Sequence, residues 1–296
     1  RAFTTATEFQ VLLFLLFLLL YLMILCGNTA IIWVVCTYSV LRTPMYFFLS
    51  NLSFVEICYT TVVVPLMLSN IFGAQKPIPL AGCGAQMFFF LTLGGADCFL
   101  LAIMAYDRYV AICKPLQYSS IITDQFVARA AIFVVARNGL LTMPIPILSS
   151  RLRYCAGHII KNCICTNVSV SKLSCDDITL NQSYQFVIGW TLLGSDLILI
   201  VLSYFFILKT VLRIKGEGDM AKALGTCGSH FILILFFTTV LLVLVITNLA
   251  RKRIPPDVPI LLNILHHLIP PALNPIVYGV RTKEIKQGIQ NLLKRL

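Results

Sequence analysis

Apolar residues neither alternate along this chain nor keep to one helical stripe. They run almost unbroken for a bilayer's width at a time, seven times over: about 9 to 36, 44 to 71, 84 to 113, 126 to 149, 184 to 209, 221 to 248 and 258 to 279. A hydrocarbon core of roughly 30 Å takes about 20 apolar residues per helix. Lipid cannot satisfy backbone N–H and C=O groups, so each run has to be a complete helix. The pattern predicts an all-α fold, a seven-transmembrane helix bundle over residues 1–280. The alternating segments of a β-barrel are absent. After the last run, "GVRTKEIKQGIQNLLKRL" sets Ile285, Ile289, Leu292, Leu293 and Leu296 at helical spacing among Lys and Arg. This predicts a short amphipathic helix over 282–296 on the inner leaflet.

An odd number of spans places the termini on opposite sides, and charge orients them. Arg42, Arg108, Lys114, Arg129, Lys209, Arg213, Lys215, Lys222 and the five Lys and Arg after Val280 fall on one face, thirteen in all. Arg1, Lys76, Arg151, Arg153, Lys161, Lys172, Arg251, Lys252 and Arg253 make nine on the other, and Arg137 lies within a span. The richer face is expected in the cytosol, with the N-terminus extracellular and the C-terminus cytosolic at the plasma membrane. The net charge of +11 suits contact with anionic membrane lipid. No nucleic-acid motif accompanies it. The first run is too long for a signal peptide's apolar segment and reads as a helix, while the start at Arg1 implies a trimmed outer tail.

The segment 150–183 is too long for a mere connection and is expected to form a lid over the helix ends. Cys83, Cys155, Cys163, Cys165 and Cys175 face this oxidising side, and five cysteines leave at least one unpaired. Cys26, Cys36, Cys58, Cys98, Cys113 and Cys227 read as small buried residues. Asn167 and Asn181 head N-x-S sequons in the lid and are candidate glycan acceptors; Asn51 heads one inside a span and should be silent.

Glu56, Asp97, Arg137 and Asp196 lie inside apolar runs, where each charge costs about 2.5 to 3.5 kcal/mol unless paired or hydrated. Two converging carboxylates would share a proton or hold a cation, and Glu56 with Asp97 is the pair to test; the alternative is that such residues position helices. Pro65, Pro144, Pro146, Pro270, Pro271 and Pro275 interrupt spans and can kink them. Gly94 and Gly95, costly in a helix, leave room for a ligand or for a neighbouring helix.

With these pieces in order, the chain resembles a rhodopsin-like G-protein-coupled receptor, and within that class a vertebrate odorant receptor. The resemblance rests on "GN" at Gly27-Asn28, "PMYFFLSNLSFVE" at 44–56, "MAYDRYVAIC" at 104–113, "SY" at Ser203-Tyr204, "KALGTCGSH" at 222–230 and "PALNPIVYGVRTKEI" at 271–285. It implies that Arg108 rests on Asp107 in the inactive state and is uncovered for the G protein when the sixth helix swings out. Tyr204 and Tyr278 would steady the open state, and Tyr109, Lys222, His230, Asn274 and Pro275 belong to the same coupling machinery. It also implies the disulfides Cys83–Cys165 and Cys155–Cys175, leaving Cys163 over, and places Glu56 and Asp97 in the sodium-site region of related receptors. Up to about Tyr118 the chain resembles the tetrapod-type group and from about Ser120 the fish-like group, with Arg137 and "RKRIPPD". That implies either a composite chain or a natural receptor of an intermediate subfamily.

By the same resemblance the ligand cavity lies between the third, fifth, sixth and seventh helices, near Phe90, Leu91, Gly94, Gly95, Cys98, Ile188, Gly189, Leu192, Thr238, Leu241, Leu242, Val245, Ile264 and His267. So apolar a set suits a small, volatile, neutral odorant, with Thr238 or His267 for one hydrogen bond. Thr238 stands where many odorant receptors carry an aromatic at the toggle of the sixth helix, which departs from the usual ring-rotation account. The resemblance further implies a heterotrimeric stimulatory G protein of the olfactory type, a rise in cAMP, and no cofactor beyond the sodium ion considered above. A transporter or channel is the rival, but neither internal repeats nor a polar pore lining is present. The four histidines and the remaining nucleophiles assemble no catalytic set.

Overall fold

The computed structural model describes residues 7–71, 77–160, 162–250, 253–255 and 257–296; at residues 226, 237, 240, 241, 244, 245, 247 and 248 it describes the backbone alone. Arg1, Lys76, Lys161, Arg251 and Lys252 of the charge tally lie outside the described residues.

Among the described residues eleven α-helices follow one another: α1 Thr7–Thr37, α2 Pro44–Ile71, α3 Leu80–Cys113, α4 Tyr118–Ile121, α5 Asp124–Thr142, α6 Pro144–Ser150, α7 Asn167–Ser171, α8 Thr179–Val211, α9 Glu217–Leu249, α10 Asp257–Arg281 and α11 Lys283–Leu293. Six described helical stretches are long and apolar enough to cross a membrane, α5 and α6 together forming one of them. The helix α9, with 33 residues, has the length to be the seventh. The architecture is a seven-transmembrane helix bundle. Outside these helices, the described residues show one isolated β-bridge, Tyr154 with Ser174.

The helix ends follow local chemistry more than hydropathy. α3 starts at Leu80 rather than at 84 because Pro79, held extended, sets up the first turn, and α8 starts at Thr179 rather than 184. Polar residues such as Thr179 and Gln182 are legal in a helix once it leaves the hydrocarbon, and apolar length reports only the slab. Pro44 opens α2, where its missing N–H costs nothing. The Thr123 hydroxyl caps α5 by accepting from the Phe126 N–H at 3.2 Å. The fourth span breaks at Met143, before Pro144, and resumes as α6. By contrast, α2 runs through Pro65 and α10 through Pro270, Pro271 and Pro275 without a break.

α3 is the central post, packed against α2, α5, α6 and α8, whereas α9 leans mainly on α10 and meets α3 and α8 at few places. One core joins α1, α2, α3 and α5 through Ile31, Phe48, Leu52, Leu100, Met104 and Val134. Gly27 admits Pro275, since a Cβ there would fall 2.8 Å from the proline's own. The amphipathic α11 buries Ile285 and Gly288, and a Cβ on Gly288 would lie 2.5 Å from Val34 of α1. Of the six cysteines expected to be buried, Cys227 is; Cys26 and Cys36 are exposed, and Cys58, Cys98 and Cys113 are half-buried. A thiol is apolar enough to face lipid, so burial is not needed to explain it.

Candidate functional site

Asp97, Cys98 and His267 lie deep in the bundle, surrounded by protein, yet each keeps accessible surface. Partial exposure amid protein makes these three the candidates to border a space within the bundle. On one side of it the Phe90 ring stacks on Tyr59 at 5.2 Å between centroids and meets His267 edge-on at 4.7 Å. The Tyr59 hydroxyl is hydrogen-bonded to His267 Nδ1, tying α2 to α10. Tyr59 passes beside Gly94, where even a Cβ would make an ordinary 3.5 Å contact with the ring. Tyr59 was not among the expected residues. An aromatic inside an apolar run carries no motif, and only the fold brings it to His267.

Other expected ligand residues fall elsewhere. A Cβ on Gly95 would overlap Asn138 Oδ1, so this glycine serves the packing of α3 on α5 and opens no cavity. Leu91 packs with Cys83, Met87 and Ile145 beneath the loop. Ile264 is buried with Leu13, Phe17 and Ile24, on the side of α10 that faces α1. Gly189 is exposed in a groove of about 520 Å³ on the outer flank of α8, beside Phe186 and Trp190. Ile188 and Leu192 are half-buried, while Thr238 and Leu242 are exposed. The Thr238 hydroxyl donates to the Ile234 carbonyl of its own helix at 2.8 Å. The side chains of Leu241 and Val245 lie outside the described residues. Helical phase from sequence could not separate these cases, because α1, α2 and α5 compete with the interior for the same apolar faces.

The intramembrane charges divide. Arg137 donates through both terminal nitrogens to Asp196, at 2.9 Å each, joining the fourth and fifth spans, and its guanidinium lies 4.6 Å from the centre of the Phe99 ring. These two residues therefore position helices. Glu56 accepts from the Asn274 amide at 2.7 Å, while Glu56 Oε2 and Asp97 Oδ1 are buried without a hydrogen-bond partner. The two carboxylates lie within electrostatic reach of each other. Among the described residues no cluster of three or more His, Cys, Asp or Glu could hold a metal ion.

At the other end, Arg108 bends back onto its neighbour and donates to Asp107 Oδ2 from Nη2 at 2.6 Å and from Nε at 3.1 Å. Tyr118, in the short helix after α3, donates to Asp107 Oδ1 at 2.6 Å. Burial first, and then that bond to Asp107, raise the Tyr118 hydroxyl above the ordinary phenol range. Asp107 is fully buried, so the pair does not sit in open water. Tyr204 of α8 and His230 Nδ1 of α9 are hydrogen-bonded at 2.6 Å. Tyr278 and Pro275 are buried, Lys222 is exposed, and the Tyr109 ring lies against Phe206 at 5.9 Å.

The long loop is closed by its own chemistry. Cys83 and Cys165 are bridged with 5.4 Å between Cα atoms, and Cys155 and Cys175 with 5.9 Å. Arg153 clasps Asp176 beside the second bridge. Cys163 is buried and unpaired, and burial pushes its thiol up to about 12, so it stays protonated and inert. The sequons are not presented. Asn167 accepts from the Ser149 hydroxyl at 2.8 Å and donates to Gln185 and to the Asn181 carbonyl, and both asparagines are buried. A local tripeptide says nothing of where its amide points.

A family model for the olfactory receptor matches residues 17–295. The chain belongs to the olfactory receptor family. It is 76% identical over 278 residues to human olfactory receptor 56A5, which covers 94% of this chain and 89% of that protein. Human olfactory receptor 56A4 is 67% identical over the same shares, and human olfactory receptor 10Q1 is 50% identical over 100% of this chain and 92% of its own. The 56A alignments cross Tyr118, where the sequence resemblance changes group, so that change carries no argument for a composite chain. The receptor is thus a multi-pass membrane protein of the odorant-binding, G-protein-coupled kind, and it is not an enzyme.

Proposed function

We propose that this receptor takes a small, volatile, neutral and weakly polar odorant into the internal space beside α3 and α10, and answers by activating a stimulatory G protein of the olfactory type, raising cAMP. The observation that carries this reading is the group of Tyr59, Phe90 and His267 rings packed near the part-exposed Asp97 and Cys98, deep among the helices. Burial of an apolar ligand there supplies roughly 25 cal/mol per Å². An acid odorant would find Asp97 on the wall and Arg137 already bonded to Asp196. Residues of the expected set that face other helices, Gly95 and Ile264 among them, act by holding the wall. Glu56 Oε2 and Asp97 Oδ1, lacking partners, suit a shared proton or a sodium ion whose charge would offset theirs.

The N-terminus faces outward and the C-terminus the cytosol at the plasma membrane, in keeping with the richer basic face. Arg108 is then held on Asp107 at the cytosolic end, and ligand binding works by favouring the state in which α9 moves away and Arg108 is released. The sparse packing of α9 on α3 and α8 suits that motion. Arg108→Ala is expected to abolish odorant-driven cAMP while surface expression is retained; an undiminished response sinks the coupling assignment. Matched neutral and carboxylate odorants, titrated in the same assay, test the ligand class, and a response confined to the acids overturns it.

A further inference from the structure

Tyr59 lies outside every motif of the family resemblance, yet it holds one ring nitrogen of His267 while its own ring is stacked on Phe90. Such a bond gives the imidazole a direction. A phenol O–H is a better donor than a neutral imidazole N–H, and an imidazole nitrogen is a better acceptor than a phenol oxygen. In neutral His267, Nδ1 therefore accepts from Tyr59 and the ring hydrogen resides on Nε2. In a charged ring both nitrogens carry hydrogen. Either way Nε2, the nitrogen left to meet a ligand, is a donor. The neighbouring His266 ring lies 5.0 Å away, and the Thr238 hydroxyl already spends its hydrogen on the Ile234 carbonyl.

We infer that Tyr59 is a specificity-determining residue: by occupying Nδ1 it makes His267 present a hydrogen-bond donor and no acceptor to the interior, so the receptor selects odorants with a bare acceptor oxygen, such as ketones, esters and ethers, over alcohols of the same skeleton. This rests on the internal space being the ligand site. A ketone receives the Nε2 hydrogen and has nothing left unpaired. An alcohol receives the same bond but carries a hydroxyl hydrogen for which His267 offers no acceptor; unless it reaches the Asp97 carboxylate it goes unmet, and an unmet buried donor costs roughly as much as a hydrogen bond supplies. Tyr59→Phe keeps the ring on Phe90 and releases Nδ1, after which His267 can exchange tautomers and accept from the alcohol.

The test measures cAMP in cells expressing the receptor, with a methyl ketone, the secondary alcohol of the same skeleton and the parent alkane, taken over several chain lengths. The unmodified receptor is expected to favour the ketone by about tenfold in half-maximal concentration. Tyr59→Phe is expected to narrow the gap to about threefold through improved response to the alcohol, and His267→Gln, whose amide can turn either way, to narrow it similarly. A ketone-to-alcohol ratio unchanged in both variants overturns the inference and leaves the receptor reading standing. So does an alcohol response that survives Tyr59→Phe unaltered but is lost in Asp97→Asn. Failure of all three probes at every chain length, with the receptor at the cell surface, sinks the proposed ligand class and this inference with it. Should Tyr59→Phe not reach the surface, nitrogen NMR of the histidine rings in the purified receptor reads the tautomer directly, with His267→Gln to assign the signal. A ring hydrogen on Nδ1 with none on Nε2 then overturns it.

Discussion

Arg137 carries a full charge in the middle of the fourth span and finds both oxygens of Asp196 in the fifth. The pair resolves two separate oddities of the sequence at once. Their partnership was hidden because nothing along the chain says that residues 59 positions apart share a depth and face each other. Removing one member strands the other in an apolar setting, at a cost of about 3 to 5 kcal/mol. Asp196→Leu is accordingly expected to lower surface expression and thermal stability sharply, and Arg137→Met with Asp196→Leu to recover most of both. A double variant no better than the single one would mean the pair contributes no mutual compensation. Gly95 teaches the same lesson, because an apparently vacant position proves to be filled by Asn138 of α5.

At the scale of elements, the long loop 150–183 shows how far local motifs reach. Its cysteines were legible as a loop held by disulfides, but the burial of its sequons was not, since Asn167 is the hub that ties α6, α7 and α8 together. Glycosidase treatment is expected to change the gel mobility of the unmodified receptor no more than that of a variant carrying Asn167→Gln and Asn181→Gln. A smaller shift in the variant would show that the sequons are used. The Arg153–Asp176 clasp adds a pH dependence. Hydrogen bonds from the Arg153 side chain and backbone hold the Asp176 carboxyl below the usual range. A depressed folded value means that the clasp contributes fully above the free carboxylate's value of about 3.9 and is lost as pH falls through the lower folded one. Hydrogen exchange across 153–176 should thus stay slow at pH 5 to 7 and quicken only in stronger acid; an earlier loss of protection, near pH 6, would contradict it.

At the scale of the whole molecule, the proposed coupling turns on a few bonds at the end of α3. Asp107 is held from two sides, by Arg108 on Oδ2 and Tyr118 on Oδ1, and the second hold does not appear in "MAYDRYVAIC" because Tyr118 follows it across a turn. A hydrogen bond to a charged group contributes about 1.5 to 3 kcal/mol, enough to move a two-state equilibrium roughly tenfold or more. Tyr118→Phe should therefore raise ligand-free cAMP several-fold at equal surface expression. Basal signalling at the unmodified level would show that Tyr118 does not restrain Arg108. The amino-acid sequence by itself determined that the chain crosses a membrane as helices, because lipid leaves the backbone no alternative and long apolar runs state this locally. It also announced the family through motifs short enough to be read in place. Tertiary structure alone decided which polar groups meet: Arg137 with Asp196, Glu56 with Asn274, Tyr59 with His267. Hydrogen bonds and ion pairs act over a few ångströms between helices far apart in sequence, and hydropathy cannot tell a helix face turned to a neighbour from one turned to a ligand.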